Sequence, residues 1–349
     1  MTLSNILLAA GGTGGHVFPA VATAQELTKR GYKVYFATDK RGEKYLKNIG
    51  FEYRVISSAS PGGNVFKRGT ALLKLLWGMM QSNFYFAKIK PKLVIGFGGY
   101  PSFPPMIAAR FNFIKTILHE QNSHLGKANR FLSRHATVTA ISFPKTQAAP
   151  STAKLVGNPV RAEIVETPYP AFGGKINLLV TGGSQGAKLF SDSLPGALAG
   201  FADKITITQQ VREEDIDKVR EIYSKAGVEF ELKSFFDDMP KRLSFAHLVI
   251  CRAGASTIFE LARSGRPAVF VPLAVSAGNH QFYNANAVVE SGGGWIIEEK
   301  DFNAENLNRI LAGLLSNPAR LAEAAEKVKQ FSHTDAAAEL ADLAEEMLK

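Results

Sequence analysis

Four stretches of this 349-residue chain place backbone N–H groups and polar side chains where an anion and a sugar could be held. The first is Gly11-Gly-Thr-Gly-Gly-His16, and the second, 171 positions on, is Gly182-Gly-Ser-Gln-Gly186. Each follows an apolar run and opens a helical pattern. N–H groups in such a turn point outward, and a helix start adds roughly half a positive charge. The third is Arg252-Ala-Gly-Ala-Ser-Thr-Ile-Phe-Glu260. Its Gly254 to Thr257 read as a helix start able to hold a diphosphate. Glu260, one turn on, stands where a carboxylate could accept two ribose hydroxyls. Thr257-x-x-Glu260 is equally the pattern of a capping box. The fourth, Asn279-His280-Gln281, offers side chains for sugar hydroxyls, although polar residues leading into a helix also serve as caps.

Neither glycine loop is a standard fingerprint. After Gly12-Thr-Gly14 the position a dinucleotide loop reserves for glycine holds Val17, and Gly186-Ala-Lys188-Leu189 is not a Walker sequence. A tight strand-to-helix turn wants glycine for steric reasons alone. Two such loops at matching places favour two similar halves, at least one of them gripping an anionic group.

The elements that would position these loops are short apolar runs without alternation, separated by helical segments. In the first half they are Ile6–Ala9, Lys33–Ala37, Leu93–Gly96, Thr116–His119 and Thr137–Ile141. In the second they are Leu178–Thr181, Ile205–Thr208, His247–Cys251, Ala268–Val271 and Trp295–Ile297. This pattern predicts two Rossmann-like, doubly wound parallel sheets. A Pro/Gly-rich stretch runs from Pro159 to Gly174, and the second half restarts near Lys175. The division expected is 1–160 and 161–335, with a helix from 336 to 349 able to pack on either half, the first included. Ligands of such sheets bind beyond the strands' carboxyl ends, so with two facing domains the loops would converge on a cleft.

Composition narrows the classes. An apolar fraction of 46% and a charged fraction of 21% describe a globular protein. The single Cys251 excludes a disulfide framework and fits a reducing compartment. The opening residues read as a strand rather than a signal peptide, and no run reaches the roughly 18 apolar residues of a membrane span. The net charge of +10 divides unevenly: residues 1–160 carry +16 and the remainder −6. The first half therefore calls for an anionic partner, be it nucleic acid, acidic membrane or phosphorylated substrate, or else has a broadly basic surface. Phe66 to Lys90 is helical in spacing. Leu72, Leu75, Leu76, Trp77, Met79 and Met80 crowd more than one face, among five cations and no acid. A core helix and a helix lying at an anionic membrane surface both fit. No basic stripe with interleaved aromatics lies elsewhere, so no nucleic-acid partner is expected.

Taken together, Gly11–His16, Gly98-Gly-Tyr100, His119-Glu-Gln-Asn122, Gly157-Asn-Pro-Val-Arg161, Gly182–Gly186 and Arg252-x-Gly-Ala-x-Thr-x-x-Glu260 resemble the peptidoglycan N-acetylglucosaminyltransferases that form lipid II. The motifs occur in the family's order. The resemblance implies the glycosyltransferase B fold, with acceptor on the first domain and UDP-sugar mainly on the second. It implies inverting transfer of N-acetylglucosamine from UDP-N-acetylglucosamine to the 4-hydroxyl of undecaprenyl-diphosphate-linked muramyl-pentapeptide. The expected place is the cytoplasmic face of the plasma membrane, as a peripheral protein, with other cell-wall synthesis proteins as further partners.

The resemblance also implies roles. His16 is the proton acceptor, with Glu120 a second base or acceptor contact. Thr13, Gly14 and Gly15 line the donor sugar or acceptor phosphates, Asn122 holds the donor sugar, and Arg161 meets phosphate charge as UDP leaves. Ser184 belongs to the donor diphosphate loop. Phe236 stands at the uracil position, where contact would run through backbone. Ala255, Ser256, Thr257, Ile258 and Phe259 form the donor helix start, Glu260 takes the ribose diol, and His280 and Gln281 read the sugar. The loop Ala274–Gly278 is small and uncharged where relatives often carry charge. No metal ligand set is expected. His124 falls one place late for a zinc helix, and Asp215-x-Asp217 lies in a solvated helix. No cofactor is required, though a divalent cation is allowed as an aid. The rival readings are a UDP-N-acetylglucosamine 2-epimerase, another glycolipid glycosyltransferase, and a non-catalytic nucleotide-sugar binder.

Overall fold

A computed structural model describes residues 4–62, 64–183, 187–332 and 335–349. By its internal contacts the chain divides into two units, Met1–Arg161 with Thr334–Lys349, and Ala162–His333.

The first unit is a seven-stranded parallel sheet in the order β3-β2-β1-β4-β5-β6-β7. The strands are β1 Asn5–Ala9, β2 Lys33–Thr38, β3 Glu52–Val55, β4 Leu93–Gly96, β5 Lys115–Glu120, β6 Val138–Ile141 and β7 Lys154–Leu155. Its helices are α1 Gly14–Lys29, α2 Lys40–Leu46, α3 Val65–Ile89, α4 Gly99–Phe111 and α5 Lys127–Leu132. The alternation of β1 shows why the sheet is wound on both faces. Ile6 and Leu8 pack with Val17, Ala20, Ala24 and Leu27 of α1. Leu7 and Ala9 face the other way, onto Tyr85, Phe86 and Ile89 of α3 and Met106 of α4. Parallel strands covered twice need apolar residues at every position, and these are the runs visible in the sequence.

The second unit is a six-stranded parallel sheet in the order β10-β9-β8-β11-β12-β13. Its strands are β8 Ile176–Thr181, β9 Ile205–Gln210, β10 Glu229–Lys233, β11 Leu248–Cys251, β12 Ala268–Phe270 and β13 Gly294–Ile296. The helices are α6 Lys188–Leu198, α7 Ile216–Lys225, α8 Met239–Phe245, α9 Ala255–Ser264, α10 His280–Glu290, α11 Ala304–Leu315 and α12 Ala319–Phe331. A last helix, α13 Ala336–Leu348, belongs to the first unit. There Leu340, Ala341, Leu343 and Ala344 complete the core beneath α1.

Three strands are absent from the apolar-run pattern: β3, β7 and β10. β3 and β10 are edge strands with alternating exposure, and β7 is an exposed two-residue edge. An edge covered on one side keeps polar residues on the other, so its sequence does not read as a continuous apolar run. The stretch before Lys175 also differs from a free linker. Arg266, fully buried, donates to the carbonyls of Thr167 and Pro168 as well as those of Leu243, Ser244, Ser264 and Gly265. Tyr169 donates its hydroxyl to the His247 carbonyl at 2.7 Å. Residues 162–174 are thus strapped onto the second unit, which begins well before Lys175.

The basic stretch after residue 65 is one helix with two characters. Ala71, Leu75, Gly78, Ser82, Tyr85, Phe86 and Ile89 of α3 are buried at helical spacing. Phe66 (86% exposed), Trp77 (53%) and Phe84 (69%) face outward with Leu72, Leu73, Leu76 and Met80. The core reading describes one face of this helix, and the other exposes large apolar residues. No helix among the described residues is long and apolar enough to cross a membrane.

Candidate active site

In the first unit the site residues gather at the carboxyl ends of β1 and β5. The turn between β1 and α1 needs its glycines for two reasons. Gly12 has φ +79°, and a Cβ on Gly11 would lie 2.7 Å from Asp39 Oδ1 and 2.8 Å from Pro101. The close carboxylate has a purpose. Asp39 Oδ1 accepts from Gly12 N (2.8 Å) and Gly42 N (2.9 Å), while Oδ2 accepts from Arg41 Nε (3.0 Å). Burial works against ionising Asp39, but those N–H groups and the Arg41 charge hold its pKa below the usual carboxylate range. Gly12 N–H is thereby committed within the protein. Thr13 N–H is committed as well, donating to Gly11 O at 3.0 Å, and Gly14 and Gly15 follow as the first residues of α1.

His16 sits in the first turn of α1, half exposed, with Nδ1 3.4 Å from Thr13 Oγ1. Its Cε1 lies 3.5 Å from where a Cβ on Gly99 would stand, so the Gly98–Tyr100 turn is its near neighbour. Arg161 lies 5.6 Å over the ring of Phe18, in the same stretch of α1. The structure therefore brings Thr13, Gly14, Gly15, His16 and Arg161 to one end of one helix.

Glu120, at the end of β5 and 2% exposed, is fully engaged. Oε1 accepts from Asn122 N (3.0 Å) and Asn122 Nδ2 (3.1 Å). Oε2 accepts from Gly126 N (3.2 Å) and Asn129 Nδ2 (2.8 Å). The carboxylate shapes the turn that carries Asn122 and starts α5. A proton on it would break at least one of these bonds, which fits an anchor better than a base. Its neighbour His119 is fully buried, and burial drives its pKa down to about 4 against a raising effect of the Gly157 carbonyl. Nδ1 accepts from Gln121 Nε2 and Nε2 donates to Gly157 O, both at 2.9 Å. This neutral imidazole ties β5 to the segment that leads to Arg161.

In the second unit α9 begins at Ala255, and the residue that caps it, Gly254, has no side chain to offer. Thr257 is the third residue of the helix rather than its cap, so the capping-box reading of Thr257–Glu260 does not hold. The N–H groups of Ala255, Ser256 and Thr257 head the helix, followed by Ile258, Phe259 and Glu260. Ile258 and Phe259 are buried, and Glu260 is half exposed. Two side chains of α10 fix the peptide before this start. Gln281 Oε1 accepts from Ala253 N (3.3 Å) and Leu273 N (2.9 Å), while Asn284 Nδ2 donates to Ala253 O (3.3 Å). Neither of the Gln281 bonds uses its amide N–H2. His280 opens α10 after Asn279, whose backbone is left-handed at φ 55°.

Phe236 is buried, and its ring is covered by the Arg242 guanidinium at 4.3 Å, so its side chain cannot stack on a base. Its neighbour Phe235 is the exposed one. Ser184 lies outside the described residues. Asp215 and Asp217 stand at the start of the amphipathic helix α7. Among the described residues no group of three or more His, Cys, Asp or Glu side chains could hold a metal. Sequence reasoning missed Asp39, Asn129, Asn284 and Glu299. Asp39 alone had a local signal, an acid directly after an apolar strand.

Two doubly wound parallel domains define the glycosyltransferase B architecture, each with a helix start and polar side chains at the strands' carboxyl edge. Residues 6–141 match the N-terminal domain of glycosyltransferase family 28, and residues 177–340 match its C-terminal domain. The chain belongs to that family and is a glycosyltransferase.

The UDP-N-acetylglucosamine–N-acetylmuramyl-(pentapeptide) pyrophosphoryl-undecaprenol N-acetylglucosamine transferase of Rhodospirillum centenum is 42% identical, across 98% of this chain and 94% of the relative. The protein of the same name from Mesorhizobium japonicum is 43% identical, across 97% and 94%. The crystal structure of Acinetobacter baumannii MurG matches with a TM-score of 0.85 at 31% identity, covering 99% of this chain and 100% of that one. The kitacinnamycin glycosyltransferase, with a TM-score of 0.74 at 18% identity over 99% of both chains, shares the fold.

Proposed function

We infer that the protein transfers N-acetylglucosamine from UDP-N-acetylglucosamine to the 4-hydroxyl of the muramyl sugar on undecaprenyl-diphosphate-linked muramyl-pentapeptide, a step of peptidoglycan synthesis. The observation that carries this is the near full-length likeness, at 42% and 43% identity, to relatives bearing the name of that transferase. Among the described residues, 13–16, Asn122 and the head of α9 follow strand ends, where ligands of such sheets bind.

In this reading His16 takes the proton of the 4-hydroxyl as its oxygen attacks the anomeric carbon. The bond to UDP breaks, UDP leaves with the electron pair, and the configuration inverts to β. Thr13, Gly14 and Gly15 meet phosphate or sugar, and Arg161 meets the charge growing on the leaving diphosphate. Glu120 acts as the anchor of Asn122, which holds the donor sugar. The head of α9 receives the diphosphate, with the Ser184 loop as its partner. Glu260 takes the ribose diol, Gln281 and His280 take the sugar, and the backbone at Phe236 meets uracil. No cofactor is required, and a divalent cation arriving with the diphosphate is compatible with every step.

The outward face of α3 is the surface for an anionic membrane at its cytoplasmic side. Large apolar residues there lie among Lys67, Arg68 and Lys74, and burying them in the interface would be favourable. Other cell-wall synthesis proteins are alternative partners for that face. Binding to anionic vesicles should fall about tenfold in a Trp77→Ser, Phe84→Ser protein that still glycosylates a short-chain acceptor at the normal rate. Unchanged vesicle binding would hand the face to a protein partner.

The decisive experiment is turnover of labelled UDP-N-acetylglucosamine with and without the lipid-linked acceptor or a short-chain analogue. Label entering lipid only when acceptor is present is the expected result. Donor conversion without acceptor would indicate an epimerase. UDP binding with no reaction would indicate another acceptor or a binding role.

A further inference from the structure

The loop after β12 lacks charge of its own, yet a charge reaches it from elsewhere. Residues 271–289 contain no Asp, Glu, Lys or Arg. Ala274 N donates to Glu299 Oε2 at 2.8 Å, and Glu299 lies in a single turn beyond β13. The other oxygen of Glu299 accepts from Arg252 Nη2 at 2.7 Å. Arg252 also donates to Val271 O at 3.1 Å and lies 5.2 Å over the ring of Phe190. Its guanidinium is therefore engaged inside the domain.

Gln281 makes the parallel connection, accepting from Ala253 N and Leu273 N. Two consecutive residues after β11, 252 and 253, are thus tied to two consecutive residues after β12, 273 and 274. One tie is a carboxylate and the other a carboxamide. Both the head of α9 and the approach to α10 hang from this double tie. Burial opposes ionisation of Glu299, but the Ala274 N–H and Arg252 together hold its pKa below the usual carboxylate range. The clamp is therefore charged at neutral pH.

We propose that Glu299 is a positioning residue for the donor sugar: by holding Arg252 and Ala274 together it sets the spacing between the α9 head and Gln281. This rests on the donor reading above. The uncharged loop at 274–278 needs no contact with the sugar in order to matter. Its place is fixed from behind, and the amide N–H2 of Gln281 is aimed as a consequence. Glu299 touches neither substrate nor reacting atom.

The test is calorimetric binding of UDP and of UDP-N-acetylglucosamine to the full-length protein and its Glu299→Gln and Glu299→Asp variants, with donor and acceptor KM measured beside them. Glu299→Gln should weaken UDP-N-acetylglucosamine about tenfold, the usual effect of losing a charged hydrogen bond. UDP should weaken less than about threefold, and donor KM should rise while acceptor KM stays put. Glu299→Asp keeps the charge on a shorter arm and should fall between wild type and Glu299→Gln. It also carries the test if Glu299→Gln does not fold. Equal losses for UDP and UDP-N-acetylglucosamine, or no loss for either, would overturn the proposal. Wild-type protein that binds neither ligand would overturn the donor reading on which it stands.

Discussion

Glu120 in the first domain and Glu299 in the second are both carboxylates that hold a loop at the carboxyl edge of a sheet, and they do so by different means. Glu120 accepts only from neutral donors, the farthest of them nine residues away in sequence. Glu299 pairs with an arginine 47 residues back and reaches a loop 25 residues back. The first turn can be shaped by a short segment alone, whereas the second exists only once β11, β12 and β13 have paired. A buried carboxylate without a cation depends on all its donors at once. An ion pair with a second hydrogen bond has more tolerance for losing one of them.

The proposed mechanism gives the chemistry to the first domain and donor binding to the second, so the largest effect should come at His16. His16→Ala should lower kcat by about two to four orders of magnitude with UDP-N-acetylglucosamine affinity intact. Simultaneous loss of donor binding would break that division of labour. Next comes Glu120→Ala, which removes the acceptor of four N–H donors. Urea denaturation should show a loss of about 3 kcal/mol. A loss under about 1 kcal/mol would mean that the turn is held by something other than the carboxylate.

The third prediction concerns acid. His119 stays neutral in the fold down to about pH 4, while in the unfolded chain it takes up a proton near 6.5. The unfolded state therefore binds more protons in that window. Stability should fall as pH drops from 6.5 toward 4, by up to about 1.4 kcal/mol per pH unit from this group. His119→Gln should flatten that slope; an unchanged slope would assign it to other groups. The smallest effect is expected of Asp39→Asn, which retains an acceptor for Gly12 but loses the Arg41 pairing, costing about 1 kcal/mol. Because its folded pKa lies below the ordinary 3.8, the contribution of Asp39 is complete at neutral pH and is lost only as pH falls below that value. Measured at about pH 7 and about pH 3, the difference between wild type and Asp39→Asn should shrink at the lower value.

Much of this arrangement can be read from residues, and the rest divides by range. Central strands such as Leu93–Gly96 announce themselves because burial on both faces forbids polar residues. Edge strands β3 and β10 do not, since half of each faces water. The glycine loops are legible as turns. What the first one holds is not, because Asp39 approaches from a neighbouring strand. Thr257 and Glu260 fit two motifs equally until the start of α9 is fixed at Ala255. Glu120 reads as a second base or an acceptor contact, and its four hydrogen-bond donors become visible only in the fold. The 162–174 stretch has the composition of a linker but is held by Arg266, far along the chain. Glu299 has no local signature at all.

The placement of α13 has a consequence for synthesis. On the ribosome the first domain emerges first, yet one wall of its core arrives with residues 336–348. The second domain, complete by residue 333, can close while the core of the first still lacks Leu340, Ala341, Leu343 and Ala344. The earlier-made domain is therefore the last to receive all the residues of its core.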